Sequence, residues 1–140
     1  MELCVDTRFL SVLKEKKHSL VILSWKQATE HMNEGEFYVS INHFLQSILF
    51  KPQRIVIDVE LMHFVWDQRH GHWLFDLFYG YCPKNIGIVP AHDLFVQIAI
   101  EDIIQKYFKG RSEILCDQFE ARKWVLNQPI SSLSNKFTLN

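Results

Sequence analysis

The stretch Arg54-Ile55-Val56-Ile57-Asp58-Val59-Glu60 decides the fold of this chain. Its apolar residues run on without polar alternation, which suits a strand covered on both faces, as in a parallel sheet, better than a half-exposed surface strand. Lys51-Pro52 precedes it, and the residue before a proline is pushed out of the α region, so a helix is expected to stop there. Upstream, Asn33 and Glu36 have the spacing of a capping box, and Phe37, Ile41, Phe44, Leu45 and Ile48 follow at helical spacing. The spacing predicts a first helix at about 34–50. The central strand therefore lies between helical patterns.

Working toward the N-terminus, Phe9–Leu13 and Ser19–Trp25 are short β-branched and aromatic runs separated by the polar tract Lys14–His18. They read as an antiparallel hairpin. Toward the C-terminus, Trp66, His70, Trp73, Leu74, Leu77, Phe78 and Tyr81 share one stripe of a helix expected over 64–82. Gly71 and Gly80 interrupt it, each costing about 1 kcal/mol relative to alanine. Ile86–Val89 is expected as a fourth strand and Glu113–Cys116 as a fifth. Between them His92-Asp93 stands where a helix cap belongs, ahead of Val96, Ile100, Ile103 and Tyr107, and Lys109-Gly110 supplies a stop. Phe119–Leu126 reads as a short final helix, and Pro129 with the serine-rich stretch after it reads as a flexible tail. The expected architecture is α/β: a mixed, mostly parallel sheet of about five strands with an N-terminal antiparallel hairpin, right-handed βα units and about four helices. One domain is expected over 1–128, with a tail over 129–140.

Composition excludes several functions. A chain of 140 residues with 48% hydrophobic residues is long enough to bury one core, and 11 Phe and 4 Trp make that core rich in rings. A net charge of -1 gives no basic field for nucleic acid or an anionic membrane. No stretch approaches the roughly 20 apolar residues of a membrane span, and the N-terminus lacks a signal-peptide layout, so a cytoplasmic location is expected. Cys4, Cys82 and Cys116 are odd in number and without CxxC spacing, which argues for free thiols over disulfides or structural zinc. Glycine-rich phosphate loops are absent from the sequence, which holds 5 Gly.

The order of these pieces resembles the small bacterial SpoIIAA-like proteins, an uncharacterised subgroup related to STAS (sulfate transporter and anti-sigma antagonist) and CRAL-TRIO domains. The residues that carry the likeness are Trp25, Thr29 and Met32, then Lys51-Pro52 before Ile55-Val56-Ile57-Asp58, then Val89-Pro90-Ala91-His92-Asp93-Leu94-Phe95-Val96-Gln97, and finally Phe119-Glu120-Ala121-Arg122-Lys123-Trp124-Val125. The resemblance covers about Trp25 to Leu126 and implies a sheet wound by successive βα units, with no assigned reaction. Anti-sigma antagonists of the wider group carry a phosphorylatable Ser or Thr after the equivalent strand. Here Asp58-Val59-Glu60-Leu61-Met62-His63-Phe64 has no hydroxyl, so a phosphorylation switch does not carry over. CRAL-TRIO domains hold lipid but are much longer than this chain.

Ligands of open α/β sheets gather beyond the carboxyl ends of the strands. That edge is expected to hold Trp25, Asp58, Glu60, His63, His92 and Asp93, a His and carboxylate group suited to acid–base work or a divalent cation, or else to helix capping and loop bonding. His70 and His72 point in different directions on a helix and read as a solvated pair. Phe64, Phe75 and Tyr79 fall on a second helical face, which either packs inside the chain or serves as a partner surface. The expectation is a non-enzymatic interaction or regulatory module with a protein partner or a second copy, a homodimer, and no cofactor, catalytic residue or metal ligand assigned. The alternative is a small-molecule or metal site at the carboxyl edge.

Overall fold

In chain order the elements are β1 (Glu2–Asp6), β2 (Leu10–Glu15), β3 (Leu20–Trp25), α1 (Glu34–Ser47), β4 (Arg54–Asp58), α2 (Gln68–Leu77), β5 (Asn85–Val89), α3 (Leu94–Tyr107), β6 (Ser112–Ile114) and α4 (Gln118–Asn127). The computed structural model describes residues 1–77, 83–108 and 112–129, with the side chains of 74–77 excepted. The strands form one sheet in the order β1-β2-β3-β4-β5-β6. β1, β2 and β3 pair antiparallel, and β3 through β6 pair parallel. Among the described residues no helix is long and apolar enough to cross a membrane.

Successive residues of a strand face opposite sides, so the apolar run of β3 feeds two cores. Val21, Leu23 and Trp25 join Ile55, Ile86 and Ile88 under Phe37, Ile41 and Phe44 of α1 and Val96, Ile100 and Ile103 of α3. Leu20, Ile22, Val56 and Val89 face the other way, against Ala121 and Val125 of α4. Each fully buried Leu, Ile, Val or Phe contributes about 1.5–3 kcal/mol, so burial on both faces is what fixes β3 to β5 at the centre. Helices α1 and α3 share one face, as connections of constant hand between strands in simple succession require.

The sheet has six strands, not five. Glu2–Asp6 escapes sequence patterning because it is an edge strand with exposed Leu3 and a register break between Leu3 and Val5. The first helix ends at Ser47, and Lys51 takes a left-handed φ of 55° that turns the chain into Pro52. The second helix begins at Gln68, not near residue 64. Phe64 and Trp66 lie in the preceding loop, and their rings pack on Phe37 at 4.9 and 5.1 Å. Their apolar spacing imitates a helical stripe while the backbone is irregular. Residues 78–82, including Tyr79, and the tail from 130 onward lie outside the described residues.

His70 is not solvated: it is 3% exposed and packs on Phe37. Its Nδ1 accepts from the Asp67 backbone N–H at 3.0 Å, and its Nε2 lies 3.3 Å from Glu34 Oε1, tying the start of α2 to the start of α1. Gly71 follows because α2 runs against α3: a Cβ there would stand 2.8 Å from Ile103 Cγ1. Gly87 does the same for α4, where a Cβ would meet the Ala121 carbonyl at 3.2 Å.

Candidate functional site at the carboxyl edge

Parallel strands β3 to β6 end together, and the loops that leave them carry the polar residues expected at a site. Asp58 closes β4 beside Ser24 of β3, its register partner. Its Oδ1 accepts from Glu60 N–H at 3.0 Å, a turn that its own side chain stabilises. Its Oδ2 accepts from the Gln118 amide at 2.8 Å, and the same amide donates to Ser24 Oγ at 3.1 Å. Gln118, the first residue of α4, thus holds one face of the β4 exit.

The other face is organised by His63. Its N–H donates to Thr29 Oγ1 at 2.9 Å, and Thr29 in turn donates to the Lys26 carbonyl at 2.8 Å. The Gln27 amide nitrogen lies 2.9 Å from His63 Nε2, and His63 Nδ1 lies 3.4 Å from Asp93 Oδ2. With Gln27 donating to Nε2, the ring proton sits on Nδ1 and faces the carboxylate. Asp93 also caps α3, its Oδ1 accepting from Phe95 and Val96 N–H. The Val96 bond above all, with His63 and Phe95, holds the Asp93 carboxyl below the usual carboxylate range against the opposing effect of burial.

Glu60 and His92 form a separate pair, with Nε2 to Oε1 at 3.2 Å; both are exposed enough that it adds little to stability. Two backbone bonds, Val59 N–H to the Val89 carbonyl and His92 N–H to the Glu60 carbonyl, each at 3.1 Å, fasten the β4 and β5 exits together. Asp117 caps α4 through Glu120 N–H at 2.8 Å.

Of the six residues expected at this edge, Asp58, Glu60, His63, His92 and Asp93 lie in the segments that leave β4 and β5, but in separate pairs: Asp58 with Gln118, Glu60 with His92 and His63 with Asp93. Trp25 does not join them: it is 2% exposed, and its ring is held between Phe37 at 5.9 Å and Trp66 at 6.2 Å. Its buried Nε1 has no hydrogen-bond partner among the described residues. Gln27, Ser24 and Gln118 complete the arrangement and were not singled out from the sequence. The signal for Gln118 was its position directly after Asp117 at a predicted helix start. Phe64 is part of the aromatic stack on Phe37, while the Phe75 side chain and Tyr79 lie outside the described residues.

Chemically, the parallel half of this edge is a set of closed pairs. Asp58 and Asp93 accept from protein N–H groups, Glu60 meets His92, and both ring nitrogens of His63 are engaged. Among the described residues no group of three or more His, Cys, Asp or Glu is arranged to hold a metal ion. Clefts in open α/β sheets form where the winding reverses, and here the strands succeed one another without reversal. No family model, no curated protein and no solved structure matches the chain.

Proposed function

We propose that this chain is a non-enzymatic interaction module that pairs with a second copy of itself through the outer face of α3. The observation that carries this reading is the row Leu94, Phe95 and Ile98, exposed together on the first turns of that helix. Phe95 is 72% exposed, and Phe119 on the first turn of α4 is equally so, with exposed Ile114 on the edge strand β6 between the two helices. Adjacent exposed aromatic and aliphatic side chains on one helix face, as on α3, mark partner surfaces, and isologous pairing is the simplest way to cover them. The resemblance to SpoIIAA-like proteins supports the same direction, an interaction domain without the phosphoacceptor. Acid–base or metal chemistry has less support, because Asp58, Glu60 and Asp93 already face donors of the protein itself.

Sedimentation of the full chain tests the reading. Dimer is expected to accumulate as concentration rises to about 1 mM, and the double variant Phe95→Gln with Ile98→Gln is expected to stay monomeric at concentrations where the natural chain pairs. Both positions are exposed, so the circular dichroism spectrum should not change. A natural chain that remains monomeric throughout, or a double variant that pairs equally well, overturns the assignment.

A further inference from the structure

The hairpin half of the carboxyl edge differs from the parallel half. Leu10 pairs with Trp25, so the β1–β2 turn sits beside the end of β3 and the start of α1. Between that turn and α1 lies a groove of about 530 Å³, lined in part by Arg8, Phe9, Glu36, Val39, Ser40 and His43. The groove is open to solvent, so a small organic molecule in it would be covered in part and not enclosed.

Three of these side chains carry polar groups that make no hydrogen bond or ion pair among the described residues: Ser40 is buried, while Arg8 and His43 stand in solvent at the groove. Ser40 is 3% exposed; its hydroxyl makes no hydrogen bond among the described residues and is not a wholly enclosed polar group, so it keeps an opening toward the groove that it lines. The Arg8 guanidinium stands over the Phe9 ring at 5.2 Å and meets no carboxylate among the described residues. His43 likewise has no partner among them. The neighbouring acids are already engaged. Asp6 takes Lys26 at 2.6 Å, Glu34 faces Arg69 and His70, and Glu36 closes the capping box on Asn33 N–H at 3.0 Å. Glu36 also lies in the first turn of α1, where the helix's own N-terminal partial charge offsets it. Phe9 and half-exposed Val39 add an apolar wall. A cation and an unmatched hydroxyl beside an apolar wall suit a ligand with an anionic acceptor at one end and an apolar body at the other.

We propose that this groove binds a small organic carboxylate, with Arg8 and Ser40 holding its head and Phe9 and Val39 covering its body. The site is separate from the α3 face and does not depend on self-association. Titration of 4-fluorobenzoate into the full chain, followed by fluorine NMR, tests it. A saturable shift with a dissociation constant below about 1 mM is expected for the natural chain. Arg8→Gln is expected to weaken binding about tenfold or more, and Ser40→Ala about three- to tenfold, the loss of a charged and of a neutral hydrogen bond. The uncharged 4-fluorobenzamide should bind about tenfold more weakly than the carboxylate. Absence of saturation by about 10 mM, or equal affinities for Arg8→Gln and the natural chain, or for the amide and the carboxylate, overturns the proposal.

Discussion

Along the carboxyl edge, the half built by the exits of β4 and β5 and the half built by the β1–β2 turn and α1 use similar residues in opposite ways. Two buried hydroxyls make the contrast plain. Thr29 is 1% exposed and is bonded on both sides, donating to Lys26 and accepting from His63. Ser40 is almost as buried, yet its hydroxyl bonds to nothing among the described residues. Winding explains the difference. Each parallel strand hands over to the next through a loop that crosses its neighbour, so loop amides and side chains are brought together and satisfy one another. The hairpin crosses nothing: β1 and β2 turn back on themselves, and α1 meets them from the side. Thr7 and Asp6 of that turn are paired, but Arg8, Ser40 and His43 beside them line a groove without a protein partner among the described residues. A folded edge can therefore be rich in ionisable groups and chemically closed, while a quieter stretch beside it stays open.

The largest effect is expected where the bonds are complete. Thr29→Val keeps the shape but removes an acceptor from His63 N–H and a donor from the Lys26 carbonyl, and urea unfolding should show a loss of about 1–3 kcal/mol. A loss below the error of that measurement would mean that the two halves do not differ.

Next comes Asp93→Asn, which keeps the capping oxygen and deletes the charge. Near neutral pH the loss should be about 0.5–1 kcal/mol. The folded carboxyl titrates below its ordinary value, chiefly through Val96 N–H. Its contribution is therefore complete above the ordinary value, about 4, and disappears as pH falls through the lowered one. Unfolding curves of the two proteins should converge as the pH is taken from about 5 to about 2. Curves that remain parallel would show that the charge is not what Asp93 supplies.

The smallest effect is expected at Ser40. Ser40→Ala removes a hydroxyl with no partner, so stability should change by less than about 0.5 kcal/mol, or rise. A loss comparable to that of Thr29→Val would show that Ser40 is already bonded, and the contrast between the halves would fail.

Much of this arrangement can be read in the sequence where burial is two-sided. The runs of β3, β4 and β5 and the capping residues Asn33 and Asp93 announce themselves, because continuous apolar strands and helix starts leave local patterns. β1 does not, because an edge strand tolerates charge and exposure. The loop around Phe64 and Trp66 misleads for the opposite reason, being irregular backbone with a buried aromatic content. His63, Asp58 and Asp93 follow strand ends and helix starts that the sequence marks, but their partners Gln27 and Gln118 lie 36 and 60 positions from His63 and Asp58 in the chain. The groove is less legible still, since residues 7–9 and 33–43 meet only in three dimensions. Its one local sign is Ser40, a hydroxyl set inside the apolar stripe Phe37, Ile41 and Phe44.

The plain succession of strands also bears on how the chain comes to be folded. Every strand pairs only with those immediately before and after it in the sequence. The parallel pairings join residues 26 to 34 positions apart, so the two antiparallel pairings close the shorter loops and form at the smaller entropic cost. The sheet is able to grow outward from the first hairpin as the chain leaves the ribosome, each βα unit adding to an edge already in place. Helix α1 reaches back to β2 and β1, and α4 reaches back over β5 to β4, to close the two faces.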